Sequence, residues 1–161
     1  MNMYFKSIFN KLIALVCMCL AASAFAAEVA VAPVLDRTGL APSGDAWLKT
    51  NPYRGNQRAI EVGQSAFNQS CARCHGHDAN TAGGVPAPDL RRLHSYCRRI
   101  ANSTLQAACL SDNDQYFKKS VLQGKTVVGI VHMPAWKDVL IQDDIWAIQA
   151  FIESRVSAKP P

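Results

Sequence analysis

The sequence predicts one all-α domain with long loops. Apolar residues recur at helical spacing near Arg58–Phe67, around Phe117 and from Asp143 to Ser154. Glycines and prolines gather between these stretches, and no segment shows strong apolar–polar alternation or an internal repeat. A length of 161 residues, 49% of them hydrophobic and 18% charged, suits a single core with non-globular sequence at its ends.

The N-terminus reads as a cleavable secretion signal over 1–26. Lys6 and Lys11 supply a positive start, Leu12 to Ala22 an apolar run, and Ala24-Phe25-Ala26 a small-x-small cleavage site. The run is shorter than the roughly 20 apolar residues that a spanning helix needs, so no stable membrane insertion is expected. Cys17 and Cys19 would leave with it, as would Met1, Met3 and Met18. The formal charge of +5 includes Lys6 and Lys11, and the mildly basic remainder does not point to nucleic acid. Export places the chain in the periplasm, where disulfides form.

Residues 27–57 read as an irregular arm, broken by Pro33, Gly39, Pro42, Gly44, Pro52 and Gly55, with Trp47 and Tyr53 packing its second half on the domain. The domain proper spans 58–156, and 157–161 form a tail. A helix starts near Arg58 and carries Ile60, Gly63, Ala66 and Phe67 on one face. A glycine inside a helix costs about 1 kcal/mol against alanine, so close approach of another helix is the simplest reason for Gly63.

Cys71-Ala72-Arg73-Cys74-His75 is a C-x-x-C-H motif, the attachment signal for a c-type haem. Two thiols three positions apart share one side of a helical turn and can bond both vinyl groups of one porphyrin. His75 then falls beneath the ring as an iron ligand. Gly76 to Leu90 is a loop rich in Gly and Pro that can lie against one haem face. A backbone carbonyl near Pro86 or Pro88 is the expected acceptor for the second ring N–H of His75.

Leu90 to Ala101 reads as a short helix. Asp112 is the expected N-cap of a helix carrying Tyr116, Phe117, Val121 and Leu122, which Gly124 would stop. Lys125 to Val131 is a loop or short extended piece. The last helix runs from Asp143 to Ser154, with acids suited to its N-terminal dipole and a stripe of Ile145, Ile148 and Ile152.

Met133 is the best candidate for the second iron ligand. It is the one methionine outside the signal, and Pro134 stiffens the backbone after it. His132, His94 and His77 are rivals, and a gap-filling core role for Met133 stays open. His94 is expected on a helix surface or at the haem edge, and His77 in solvent. Cys97 and Cys109 remain as a thiol pair in an oxidising compartment, and a disulfide between them would stabilise by roughly 3 kcal/mol. A four-cysteine zinc site is the competing reading, but the second pair lacks C-x-x-C spacing. Arg91, Arg92, Arg98, Arg99, Lys118 and Lys119 could dock an acidic partner or serve as solvated helix faces.

The order of these features resembles the class I cytochromes c over about residues 58–156. The resemblance implies an all-α fold packed around one covalent haem c, with the first and last helices crossing at Gly63 and Phe67 against Trp146. It also maps the carbonyl that holds the axial histidine onto Pro88. Asn51–Asn56, Ala59–Gly63, Phe67–Gln69, Cys71–Gly76, Cys97, Cys109 and Ile145–Ile148 are similar to the small periplasmic PedF-type cytochromes. These accept electrons from PQQ-dependent alcohol dehydrogenases. That implies a monomeric electron carrier rather than an enzyme, with a periplasmic quinoprotein dehydrogenase as donor and a downstream cytochrome or terminal oxidase as acceptor. A haem enzyme or sensor with a displaceable sixth ligand, and a cytochrome subunit of a larger oxidoreductase, are the alternatives.

Overall fold

The computed structural model describes residues 30–155 apart from 83, 85 and 86. The signal segment, the tail and Pro86 lie outside the described residues. Helix α1 spans Gln57–Ser70 and is capped by Asn56, whose side chain accepts the Ala59 N–H at 3.0 Å. It buries Ala59, Val62, Gly63, Ala66 and Phe67; of the face read from the sequence Gly63, Ala66 and Phe67 are buried and Ile60 is half-buried. A single turn, α2 (Ala72–His75), follows directly. Helix α3 covers Ser103–Gln123, β1 Lys125–Val127, β2 Ile130–Met133, and α4 Gln142–Ser154.

Helices α1 and α4 form the central pair. Every residue of α4 from Asp144 to Ile152 is buried, so neighbours cover it on all sides. The two backbones meet at Gly63, where a Cβ atom would lie 1.9 Å from the Ala147 carbonyl oxygen. Close approach is therefore why a glycine stands there. The aromatic partners differ from expectation. Phe67 packs on Phe151, with ring centroids 5.4 Å apart, while Trp146 turns to the other side and meets Tyr53, Ala59 and Val62. Trp47 from the arm sits edge-on to Trp146 at 6.4 Å.

Three elements depart from the sequence reading. Helix α3 begins at Ser103, not near Asp112. Asn102 is its cap, accepting the Leu105 N–H, and Asp112 lies on an exposed part of the helix. The earlier start carries Cys109 to Cys97, with Cα atoms 5.6 Å apart in a disulfide. The stretch expected as one helix from Leu90 to Ala101 is two 3₁₀ turns, Leu90–Arg92 and Cys97–Arg99, joined by further turns. Its ends are held by Asp89, which caps the Arg91 N–H, and by that disulfide. The i→i+3 bonding has a longer rise per residue and spans between them. The segment 125–133 is an antiparallel hairpin, a small sheet on a helical fold.

The arm is irregular but joined to the domain along its described length. Its polar groups cover the first turn of α4, where no side chain caps Ile141. Arg37 binds the buried Asp144 carboxylate through two bonds of 2.7 and 2.8 Å. Ser43 donates its N–H to Asp143 at 3.0 Å, and Gln142 accepts the Leu48 N–H at 2.7 Å. Tyr53 Oη lies 2.6 Å from the Ala41 carbonyl, and burial, then the Asp143 carboxylate, pushes its hydroxyl up to about 12. Deleting residues 27–50 is accordingly expected to remove about 3 kcal/mol or more, because Asp144 loses both bonds from Arg37 and Asp143 its bond from Ser43, and each hydrogen bond to a charged group contributes about 1.5 kcal/mol or more. Chemical denaturation of the haem protein with and without the arm measures this.

A second polar cluster lies between the arm, α3 and α4. Asp114 is fully buried and accepts Arg54 Nη2 at 2.6 Å, Gln149 Nε2 at 2.8 Å and the Asn51 N–H at 3.0 Å. Arg54 also clasps Glu153 with bonds of 2.8 and 2.9 Å. His94, expected at the surface or the haem edge, is buried here instead, 3.0 Å from Glu153. Carboxylates 20 and 59 positions further along the chain draw it in, which local spacing does not reveal. His94, Asp114 and Glu153 converge closely enough to hold a cation, and the Arg54 guanidinium is that cation.

Burial holds His94 below the ordinary histidine value of 6.5. Glu153 and Asp114 oppose this, while Arg54 and Arg98 reinforce it. In the unfolded chain His94 gains a proton as pH falls through about 6.5, whereas the folded state still excludes it. Stability should therefore decline as pH falls below that value, until the folded imidazole also protonates. Denaturation midpoints between pH 8 and 5 check this, and His94→Gln should flatten the slope.

Candidate haem site

The motif is placed by α1. The Cys71 N–H closes the helix on Phe67 O at 2.7 Å, and the His75 N–H returns to Cys71 O at 3.0 Å, which makes the α2 turn. Cys71 and Cys74 are thus carried on one turn as free, half-buried thiols. The turn after the motif is tied back to α1 by Asp78. Its carboxylate accepts Asn68 Nδ2 at 2.8 Å and Gln64 Nε2 at 2.9 Å, and its N–H donates to Asn68 at 2.9 Å. These amides hold the Asp78 carboxyl below its usual value.

His75 Nδ1 lies 3.2 Å from the Pro88 carbonyl. With Nδ1 donating there, Nε2 is left as the free lone pair, the tautomer that iron requires. Burial keeps the imidazole below 6.5, hence neutral, and the Pro88 contact only partly opposes this. Pro88 is itself fixed by the next residue, since Asp89 caps the following turn and pairs with Arg91 at 2.9 Å.

Met133 ends β2. It is half-buried and packs on the same apolar cluster as Cys71, Ala72, Leu90 and Leu93, around Phe67, Val121, Trp136 and Ile148. Cys71, which opens the turn that carries Cys74 and His75, and the Met133 thioether therefore border one apolar region. This donor set fits a covalently held haem with sulfur and nitrogen on its iron. Of the rival histidines, His94 is committed to Glu153, while His77 and His132 are exposed. The Cys97–Cys109 disulfide leaves no four-cysteine zinc site. Sequence reasoning passed over Asn68 and Asp78, although an Asx pair bracketing the motif is a signal for such a tie.

The basic residues are largely engaged within the fold. Arg91 pairs with Asp89, Arg98 donates to the Glu153 carbonyl at 3.1 Å, and Arg99 lies over the exposed Tyr96 ring at 5.9 Å. Lys118 lies 5.8 Å over Trp47. No described helix is long and apolar enough to cross a membrane.

A mostly helical fold around a C-x-x-C-H turn, with a half-buried Met-Pro strand end across the core, defines a c-type cytochrome. Residues 58–152 match the family described as cytochrome c oxidase, cbb3-type, subunit III, and the chain belongs to that cytochrome c family. It is similar to cytochrome c550 of Pseudomonas aeruginosa, being 40% identical over 124 residues that cover 74% of each chain. No solved structure matches. The protein is a mono-haem electron-transfer cytochrome holding haem c covalently.

Proposed function

We propose that this cytochrome is a monomeric periplasmic shuttle. It takes electrons from a PQQ-dependent alcohol dehydrogenase and hands them to a downstream cytochrome or terminal oxidase. The signal-like segment 1–26 supports export, and the similarity to the PedF-type cytochromes supports the donor. In this reading Cys71 and Cys74 form the thioethers, and His75 and Met133 bind iron. The Pro88 carbonyl orients His75, and the Cys97–Cys109 bridge braces the segment behind it. The observation that carries the reading is that Met133 packs on the same apolar cluster as Cys71, four residues before the His75 that meets Pro88.

The haem iron, when bound, supplies one-electron exchange between Fe(II) and Fe(III). The chain's part is to close the metal with two neutral ligands. The Pro88 carbonyl keeps Nε2 free of a proton, and the thioether has none to lose. Leu90, Leu93, Trp136 and Leu140 exclude water around them.

Mixing the oxidised protein with a purified quinoprotein alcohol dehydrogenase and its alcohol should give rapid, alcohol-dependent reduction, and no reduction would remove this donor. Met133→Ala should lower the potential and let the reduced protein bind carbon monoxide readily, and an unchanged potential would remove the Met133 assignment. The family match to an oxidase subunit favours a second reading, a fixed subunit of a larger oxidoreductase. Isolation as a monomer that still exchanges electrons with added dehydrogenase counts against it.

A further inference from the structure

We propose that Gly124, at the C-terminal end of α3, is a positioning residue for the sixth iron ligand. The proposal rests on the reading of Met133 as that ligand. Gly124 has φ +67° and ψ −164°, a conformation open essentially only to glycine. A Cβ built there would lie 2.4 Å from the Met133 carbonyl oxygen, 2.8 Å from the Pro134 carbonyl carbon and 2.8 Å from the Ala135 nitrogen. All three are backbone atoms that cannot rotate aside, so a side chain at 124 must push the Met-Pro segment away.

The same segment is tied once more to α3 and once to β1. The Trp136 N–H donates to the Val121 carbonyl at 3.0 Å and so satisfies an orphan group of the last helical turn. Lys125 pairs with Met133 across the hairpin. The chain thus leaves α3 at Gly124, makes the excursion 125–132, and returns at Met133 to where it left. The tip, with Val128 96% exposed, touches little that could set the position of the ligand. The end of α3 therefore fixes the Met133 backbone, and through it the reach of the sulfur.

Gly129 is a matched control. Its φ is +77°, yet nothing lies within 4 Å of a Cβ built on it, so alanine there carries backbone strain without the collision. In the haem protein, Gly124→Ala should weaken the sulfur-to-iron absorption band of the oxidised state, lower the potential, and raise affinity for imidazole at least about tenfold. Gly129→Ala should lose stability while keeping the band, the potential and the imidazole affinity of the parent. Should Gly124→Ala not hold haem, the exposed Gln123→Gly decides, because it loosens the last turn of α3 without adding an atom. It should raise imidazole affinity by several-fold.

A Gly124→Ala protein indistinguishable from Gly129→Ala in band and imidazole affinity would overturn the proposal. An unchanged imidazole affinity in Gln123→Gly would do the same. Met133→Ala separates this from the parent reading. If that variant opens the iron while Gly124→Ala does not, Met133 is the ligand and Gly124 does not position it. If Met133→Ala leaves the iron closed, the ligand assignment itself is wrong.

Discussion

Gly63→Ala is expected to destabilise the haem protein by about 3 kcal/mol, lowering the thermal midpoint by roughly 10 °C. Two effects compete. Alanine is the better helix former, worth about 1 kcal/mol at an interior position. Against this, its methyl would sit 1.9 Å from the Ala147 oxygen and 2.4 Å from the Ala147 carbon. Those are backbone atoms of a helix buried on all sides, so α1 and α4 must part to admit the methyl. Separation would loosen the Phe67–Phe151 contact and shift Cys71, which the end of α1 carries. Overpacking therefore wins over propensity. Guanidinium titration followed by helix and haem signals decides the sign, and an unchanged or raised midpoint would show that the helices do not touch there.

Arg54→Met should cost about 3 kcal/mol, the lower end of the range for breaking a buried pair, because Arg54 itself stays about a third exposed. Its partner does not, since the Asp114 side chain has no solvent exposure. Removing the guanidinium leaves a buried carboxylate with only Asn51 and Gln149 as donors, and leaves Glu153 beside it with no cation of its own. Adding Asp114→Asn to Arg54→Met should recover part of the loss, since the stranded charge goes with it. A loss under about 1 kcal/mol for Arg54→Met alone would mean that water enters the cluster and screens it.

Features that depend on neighbours a few residues away were legible. Helix α1 starts, and helix α4 starts and ends, within a residue of the expected positions because apolar spacing is local. The glycine at 63 announced a close contact, and the resemblance named the last helix as its partner, although not Phe151 as the ring that meets Phe67. The cap expected at Asp112 was wrong, because an Asn ten positions earlier, Asn102, accepts the backbone N–H instead and starts α3 sooner. Across Leu90–Ala101 the apolar spacing suits an α-helix, yet the fixed ends impose tighter 3₁₀ turns. The hairpin at 125–133 was missed as a pair of strands because each is too short to show alternation.

The amino-acid order alone determined the chemistry available to this protein. The C-x-x-C-H turn, one thioether outside residues 1–26 and two further thiols limit it to a single covalently held haem with few possible ligands. Tertiary structure decided which groups share a site and which are taken. It put Pro88 behind His75, folded the arm over α4, and buried His94 among Asp114, Glu153 and Arg54. The reason is physical. Covalent reactivity and helical period are encoded within a few residues. A buried charge is satisfied only by whatever partner the packed helices bring near, and here that partner lies 60 or more positions away along the chain.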